Sequence, residues 1–320
     1  QLAGKLSTFP PLITGCEEIF QGLISGGDKL FYLELIAFGR DYCKGRSLIN
    51  GEEYEIESPV CFKLLKGAEI RRYEPLRSRY MAVFPYRVDR EGHTRLIDEK
   101  NLRREYPMCF KYFAAFRDEL KERGSARMEY EHWYAYWCPR SLEKFQTPKV
   151  LTQVLASKAS FTLDDTRRTL FVGGGNAGGY GIIPKAGFSL LFILGLLNSR
   201  LLDATLQRSS SVFRGGFYSY ARRFLEPLPL TRPSVGAQKE IEVFVGNILA
   251  AKRANAAADV SQLEREIDER VYRLYGLTSE EIAVFEDACI APKKSHIEVK
   301  TGRPVKAKSK SALVDDEGLD

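Results

Sequence analysis

The chain has 320 residues, enough for one large domain or two ordinary ones. A hydrophobic content of 44% against 28% charged residues allows a sizeable core and argues against global disorder. The formal net charge of +6 and a pI of about 8.9 permit polyanion binding without establishing it.

In chain order, short apolar runs alternate with glycine turns over the first sixty residues. Residues 13–23, 30–38 and 54–58 read as strands or short helices around the turn Ser25-Gly26-Gly27-Asp28, and Pro59 ends the last of them. An apolar pattern over 62–70 runs into Arg71-Arg72-Tyr73. Residues 80–86 read as a strand, followed by a hairpin turn at 89–92. Tyr112, Phe113, Phe116 and Leu120 recur at helical spacing, which predicts a helix over 106–123 capped by Gly124. Strands are expected at 149–156, 160–163 and 169–172, then a glycine-rich loop over 173–181. Residues 190–206 read as one buried helix with Ser189 as N-cap. The proline-flanked strip 226–233 marks a boundary. Beyond it, helices are expected over 235–257, 260–275 and 278–289, with Ser261/Glu264 and Thr278/Glu281 spaced as capping boxes. From Ala291 the chain turns lysine-rich and then acidic, which reads as a disordered tail.

Several motif look-alikes fail on context. Gly173-x-Gly175-x-x-Gly178 fits a dinucleotide fingerprint, but that fingerprint needs a helix to begin at the loop. Gly179-Tyr180-Gly181-Ile182-Ile183-Pro184 follows instead, so a flexible hairpin loop able to approach a DNA backbone is the better reading. Phe9-Pro10-Pro11-Leu12 resembles the Asn-Pro-Pro-Tyr tetrapeptide of amino-methyltransferases, but Phe9 replaces the Asn that holds the target amino group and Leu12 the aromatic that stacks the flipped base, so it reads as a proline-stiffened linker. Glu298-Val299-Lys300 has no supporting aspartate. Cys16, Cys43, Cys61, Cys109, Cys138 and Cys289 are scattered without a CxxC, and only three histidines exist, so a zinc site has little to build on. His93 and His132 lack a catalytic partner set. Free thiols point to a reducing cytoplasm. The longest apolar stretch, 187–198, falls short of the ~20 residues that span a bilayer. No signal peptide is visible. The start at Gln1 without Met suggests a piece of something longer.

Basic residues interleave with aromatics at Arg71-Arg72-Tyr73, at Arg77-Ser78-Arg79-Tyr80 and throughout 208–223. Two readings stay open. Arg, Ser, Tyr and glycine N–H groups can bind phosphates, or the patches form a solvated basic surface over packed rings.

Four signatures in order resemble one family, the TaqI-like C-terminal specificity domain of adenine-specific DNA methyltransferases and fused type IIG restriction–modification enzymes. They are Gly22-Leu23-Ile24-Ser25-Gly26-Gly27-Asp28-Lys29-Leu30-Phe31; Leu64-Leu65-Lys66-Gly67-Ala68-Glu69-Ile70-Arg71-Arg72-Tyr73; Tyr106-Pro107 through Trp133-Tyr134 to Pro148-Lys149-Val150; and Leu196-Leu197-Asn198-Ser199-Arg200-Leu201-Leu202 with Gly215-Gly216-Phe217-Tyr218 and Leu225-Glu226-Pro227-Leu228-Pro229-Leu230. Ser25 stands where the family often has Thr, and 173–181 is richer in glycine than its pattern.

The resemblance implies an α+β fold: a mixed β-sheet with packed helices, followed by a C-terminal helical segment. The expected organisation is a linker (1–12), a DNA target-recognition domain (13–232), a helical segment (233–290) and a tail (291–320). The implied function is sequence-specific recognition of double-stranded DNA on behalf of a methyltransferase domain N-terminal to this chain. No catalysis, metal or cofactor is expected in the chain itself, whereas S-adenosylmethionine, and Mg if the whole protein also cleaves, would serve the catalytic part. The expected setting is the bacterial or archaeal cytoplasm, with no membrane partner. Ser25, Gly26, Lys29, Lys66, Arg71, Arg72, Tyr73, Arg208, Arg214, Tyr218 and Arg222 are the candidate DNA contacts. The alternative is an interaction module that docks a partner subunit through its C-terminal helices.

Overall fold

Two sheets, each with its own hydrophobic core, form the framework of the computed structural model, which describes residues 2–89, 91–124 and 130–290. The first sheet has six strands in the order Thr169–Phe171, Cys61–Leu65, Tyr80–Val83, Tyr32–Phe38, Tyr42–Ser47 and Glu53–Glu57. Its first pair is parallel and the others are antiparallel. Helix Pro107–Ala115 packs on this sheet. Its N-terminal amides at Met108 and Cys109 donate to the buried Glu57 carboxylate at 2.8 and 2.9 Å, which places an anion at the positive end of the helix. The second sheet is antiparallel, in the order Cys16–Gln21, Gly179–Pro184, Lys149–Gln153 and Phe161–Asp164. Helix Leu190–Asn198 lies on it, and Val235–Ala254 and Ser261–Leu274 pack outside. The fold is α+β, as the resemblance implies.

Aromatic richness is spent on the core. Tyr112, Tyr134 and Tyr136 are fully buried, and each hydroxyl donates to a backbone carbonyl, on Leu30, Ile97 and Val83 at 2.9, 2.6 and 2.6 Å. A buried phenol keeps its ring in the core only if its hydroxyl finds such an acceptor.

Several sequence expectations change in detail. The helix expected over 106–123 breaks at Phe116 into Pro107–Ala115 and Arg117–Glu122. The helix expected over 190–206 breaks at Ser199, which caps a second helix, Arg200–Ser209, bent by 63° from the first. Ser189 caps the first half, its hydroxyl accepting from the Phe192 amide at 3.1 Å. Ser261 and Glu264 form no capping box, because Val260 is the N-cap and Glu264 is drawn to Arg72. Thr278 and Glu281 do form one, with reciprocal bonds of 3.2 and 3.0 Å. The proline segment at 9–12 is packed against the strip 226–233: Leu12 N donates to Leu228 O and Leu230 N to Pro10 O, at 2.7 and 2.8 Å. The expected tail lies outside the described residues. Among those described, no single helix is long and apolar enough to cross a membrane.

The two sheets are joined by two strands of backbone that cross at glycines. One segment leaves Cys16–Gln21 for the first sheet, and the other leaves Thr169–Phe171 for the second. They meet at a parallel bridge between Leu23 and Val172. A Cβ on Gly22 would lie 2.4 Å from the Phe171 and Val172 carbonyl oxygens, and one on Gly173 would lie 2.0 Å from Gly22 O. Backbone cannot yield there as a flexible side chain could. Gly173→Ala is therefore expected to cost about 1–3 kcal/mol in urea unfolding, although a lone alanine elsewhere in a loop costs far less.

Lys149 and Asp164 face each other across the second sheet, fully buried, with Nζ 2.7 Å from Oδ2. Lys149 Nζ also donates to the Phe145 and Thr147 carbonyls at 2.7 and 3.1 Å, and Asp164 accepts from Thr166 N and Oγ1. Desolvation pulls the lysine below its usual pKa, opposed by the Asp164 charge. Lys149→Met should destabilise by about 3–5 kcal/mol, because it strands a buried carboxylate. Adding Asp164→Leu should restore most of that stability; denaturant midpoints of the single and double variants read the difference.

Candidate nucleic-acid interface

The crossing places three loops side by side. Gly67 N donates to Ala177 O at 2.8 Å, which seats the turn after Cys61–Leu65 on the glycine loop. Val154 N donates to Gly178 O at 2.9 Å, and Tyr220 N to Val154 O at 2.7 Å. Strand Leu155–Ala156 then pairs with Phe217–Ser219, the second strand of a hairpin whose first strand is Val212–Phe213. The turn at 66–71, the glycine loop and this hairpin thus follow one another along a continuous rim. The turn 25–29 joins it through Leu23, whose carbonyl accepts from Gly173 N at 2.8 Å. Residues 175–177 are exposed. The hairpin expected at that loop does not form, because Thr169–Phe171 pairs with Cys61–Leu65 in one sheet and Gly179–Pro184 lies in the other, and Gly173 and Gly178 serve close backbone packing.

The candidate contacts divide into three groups. Lys29, Arg71 and Arg214 are exposed on the rim. Arg71 is 3.9 Å from Glu74 and 64% exposed, so that pair leaves it available. Lys66 is half-buried, with its ammonium 3.8 Å over the Tyr80 ring. Gly26 is half-buried beside Trp137, in a left-handed conformation (φ 74°). Tyr218 is half-buried at the base of the hairpin, packed against the second core.

A second group serves the fold, and the contact role read from sequence is corrected for it. Ser25 is buried. Its hydroxyl donates to Asp28 Oδ1 at 2.6 Å and accepts from Gly27 N at 3.2 Å, which closes the turn. Arg72 reaches into the second core. It pairs with Glu264 at 2.6 Å and donates to Ala159 O and Asn198 Oδ1 at 3.2 and 3.0 Å. Tyr73 is buried, with φ 57°, its amide bonded to Phe161 O at 2.9 Å. A dipeptide that reads as a basic–aromatic DNA patch is thus an internal tie between the sheets.

The third group is displaced or engaged. Arg222 contacts Glu226 at 2.6 Å and Glu18 at 3.5 Å. Arg208 lies on the rim of an apolar groove of about 300 Å³, with Leu2, Leu6, Pro229 and Phe285 among its lining residues. Phe213 and Phe217 have no individual role in the sequence reading, yet they stand on the hairpin 38% and 42% exposed. Their signal is the double glycine between them, which marks a tight turn that no core covers.

No protein-family model matches the chain, and no curated protein matches it. A solved structure does resemble it: MmeI, a type IIL restriction–modification enzyme in complex with DNA. The likeness is one of fold. It has a TM-score of 0.55 at 13% sequence identity and covers 84% of this chain but 35% of that one, so the present chain spans about a third of MmeI.

The outer helices are tied to this framework through Asp268, whose carboxylate accepts from Arg200 N at 2.8 Å at the start of helix Arg200–Ser209. Burial pushes the Asp268 carboxyl up to about 6, and the Arg200 amide and guanidinium only partly offset it. A raised folded-state pKa contributes stability that is present in full below the ordinary carboxylate range. That contribution disappears as pH rises through about 6. Asp268→Asn keeps the acceptor oxygen and removes the titration. Relative to it, the wild type should lose about 2–3 kcal/mol of unfolding free energy between pH 4 and pH 7, read from urea titrations at each pH.

Proposed function

We propose that this chain is a DNA target-recognition region of a restriction–modification enzyme. The observation that carries the reading is the fold shared over 84% of the chain with an enzyme of that class solved on DNA. The rim of Lys29, Lys66, Arg71, the glycine loop and Arg214 supports it physically. Guanidinium and ammonium groups neutralise phosphates, arginine reads guanine edges, and open glycine backbone admits close approach. The finer assignment, proposed from the ordered signatures, is a TaqI-like specificity domain. It would present a duplex to an adenine-N6 methyltransferase region of the same enzyme, which would use S-adenosylmethionine, with Mg for any cleavage. The bacterial or archaeal cytoplasm would be its setting.

The test is binding of the chain to short duplexes across a salt series. Arg71→Ala with Arg214→Ala should weaken binding. The slope of log affinity against log salt should shrink by about 2, since each phosphate that is no longer neutralised takes about 0.9 from it. Unchanged affinity and slope would rule this rim out. Retention of a protein partner on the helices after residue 234, with no duplex bound even at low salt, would favour the interaction-module reading.

A further inference from the structure

The hairpin of Val212–Phe213 and Phe217–Ser219 has a construction that phosphate binding does not explain. Its base is rigid. Ser210 Oγ both accepts from Ser219 N and donates to Ser219 O, at 2.9 and 2.7 Å, and Tyr220 Oη donates to Asp203 at 2.5 Å. Its tip is a three-residue loop, Arg214-Gly215-Gly216, in which both glycines are left-handed (φ 86° and 77°). Arg214 is therefore the only side chain beyond hydrogen on the loop. Just behind it, Phe213 and Phe217 are directly paired across the strands, so both rings lie on one face of the hairpin. Both are substantially exposed, and the neighbouring Val212 is 67% exposed. Neither ring belongs to either hydrophobic core.

The charge around the pair limits what could cover it. Residues 208–223 contain no carboxylate, and with Arg222 held by Glu226 and Glu18 the charge at the tip is that of Arg214. An apolar protein surface would meet unpaired arginine at the tip. A nucleic-acid duplex offers phosphate for the arginine and stacked base faces for the rings.

We infer that this hairpin is a wedge: Arg214 anchors on the backbone or groove of a DNA duplex while Phe213 and Phe217 press into a base step and unstack it. The inference rests on the DNA-binding reading above and adds to it a deformation of the bound DNA. Apolar side chains inserted at a base step repay the cost of unstacking with ring–base contact. A step that is already weakened costs less to open. The wedge therefore favours a duplex with a central mismatch over the same duplex fully paired.

The experiment compares the affinity of the full chain for a short matched duplex and for its single-mismatch counterpart. Wild type should bind the mismatched duplex about tenfold more tightly. Phe213→Ala with Phe217→Ala should bind both alike and keep the wild-type salt slope, because every phosphate-binding cation is still in place. Both rings lie outside the two cores, so circular dichroism should match wild type and the urea midpoint should fall only slightly, by the loss of one cross-strand pair. Arg214→Ala should show the converse: a shallower salt slope with the mismatch preference retained. Duplex binding with no preference in the wild type, or with the same preference in the double phenylalanine variant, overturns the wedge and leaves the DNA-binding reading standing. Failure to bind any duplex at low salt overturns both.

Discussion

Everything on the rim hangs from one steric constraint, the passage of two backbone segments through each other's van der Waals space at Gly22 and Gly173. Neither residue can carry a side chain there, since the nearest atoms are carbonyl oxygens of the opposing segment. The crossing fixes how the six-stranded sheet meets the four-stranded one. It also brings the chain out of each sheet at the same place. The glycine loop, the turn at Lys66 and the strand that carries the hairpin all emerge within a few residues of it. Loops of different sequence origin can form one surface because the scaffold beneath them has no slack.

A second layer of control is ionic and internal. Arg72 couples the first sheet's turn to Glu264 on an outer helix and to Asn198 at the end of the central one. Asp268 on that same outer helix receives the start of Arg200–Ser209. The mild positive surplus of the sequence is thus a poor guide to where positive charge is available. Lys149 is consumed in a buried pair, Arg72 in a half-buried one and Arg222 in a more exposed one. What remains exposed on the rim, Lys29, Arg71 and Arg214, is a small set drawn from segments far apart in sequence.

The elements most legible in the sequence are those with clear periodicity or caps, such as Tyr32–Phe38, the buried helix opening at Ser189, and the Thr278 capping box. Strand Tyr42–Ser47 leaves no trace, because its buried positions are Cys43, Gly45 and Ser47 and show no apolar alternation. Helix Glu99–Glu105 is equally silent; it is short and polar, and is marked only by Asp98 accepting from Asn101 N. Among the site residues, sequence can find arginines and glycines but not their depth. Arg71 and Arg72 are indistinguishable as letters, yet one faces solvent and the other spans two cores. Burial is a property of register and crossing, which no local window contains.

The kink at Ser199 carries a last implication, for how such a region can vary. The second half-helix, Arg200–Ser209, leads directly into the hairpin, and the hairpin is also tethered through Leu155–Ala156. Each residue added to an α-helix turns whatever follows by about 100° and advances it by about 1.5 Å. An insertion before Ser210 would set the helix against the tether, and one of the two would have to give. The ten-residue span is therefore a fixed ruler. Arg214 and its neighbours beyond it are free to change identity without moving the point at which they are presented.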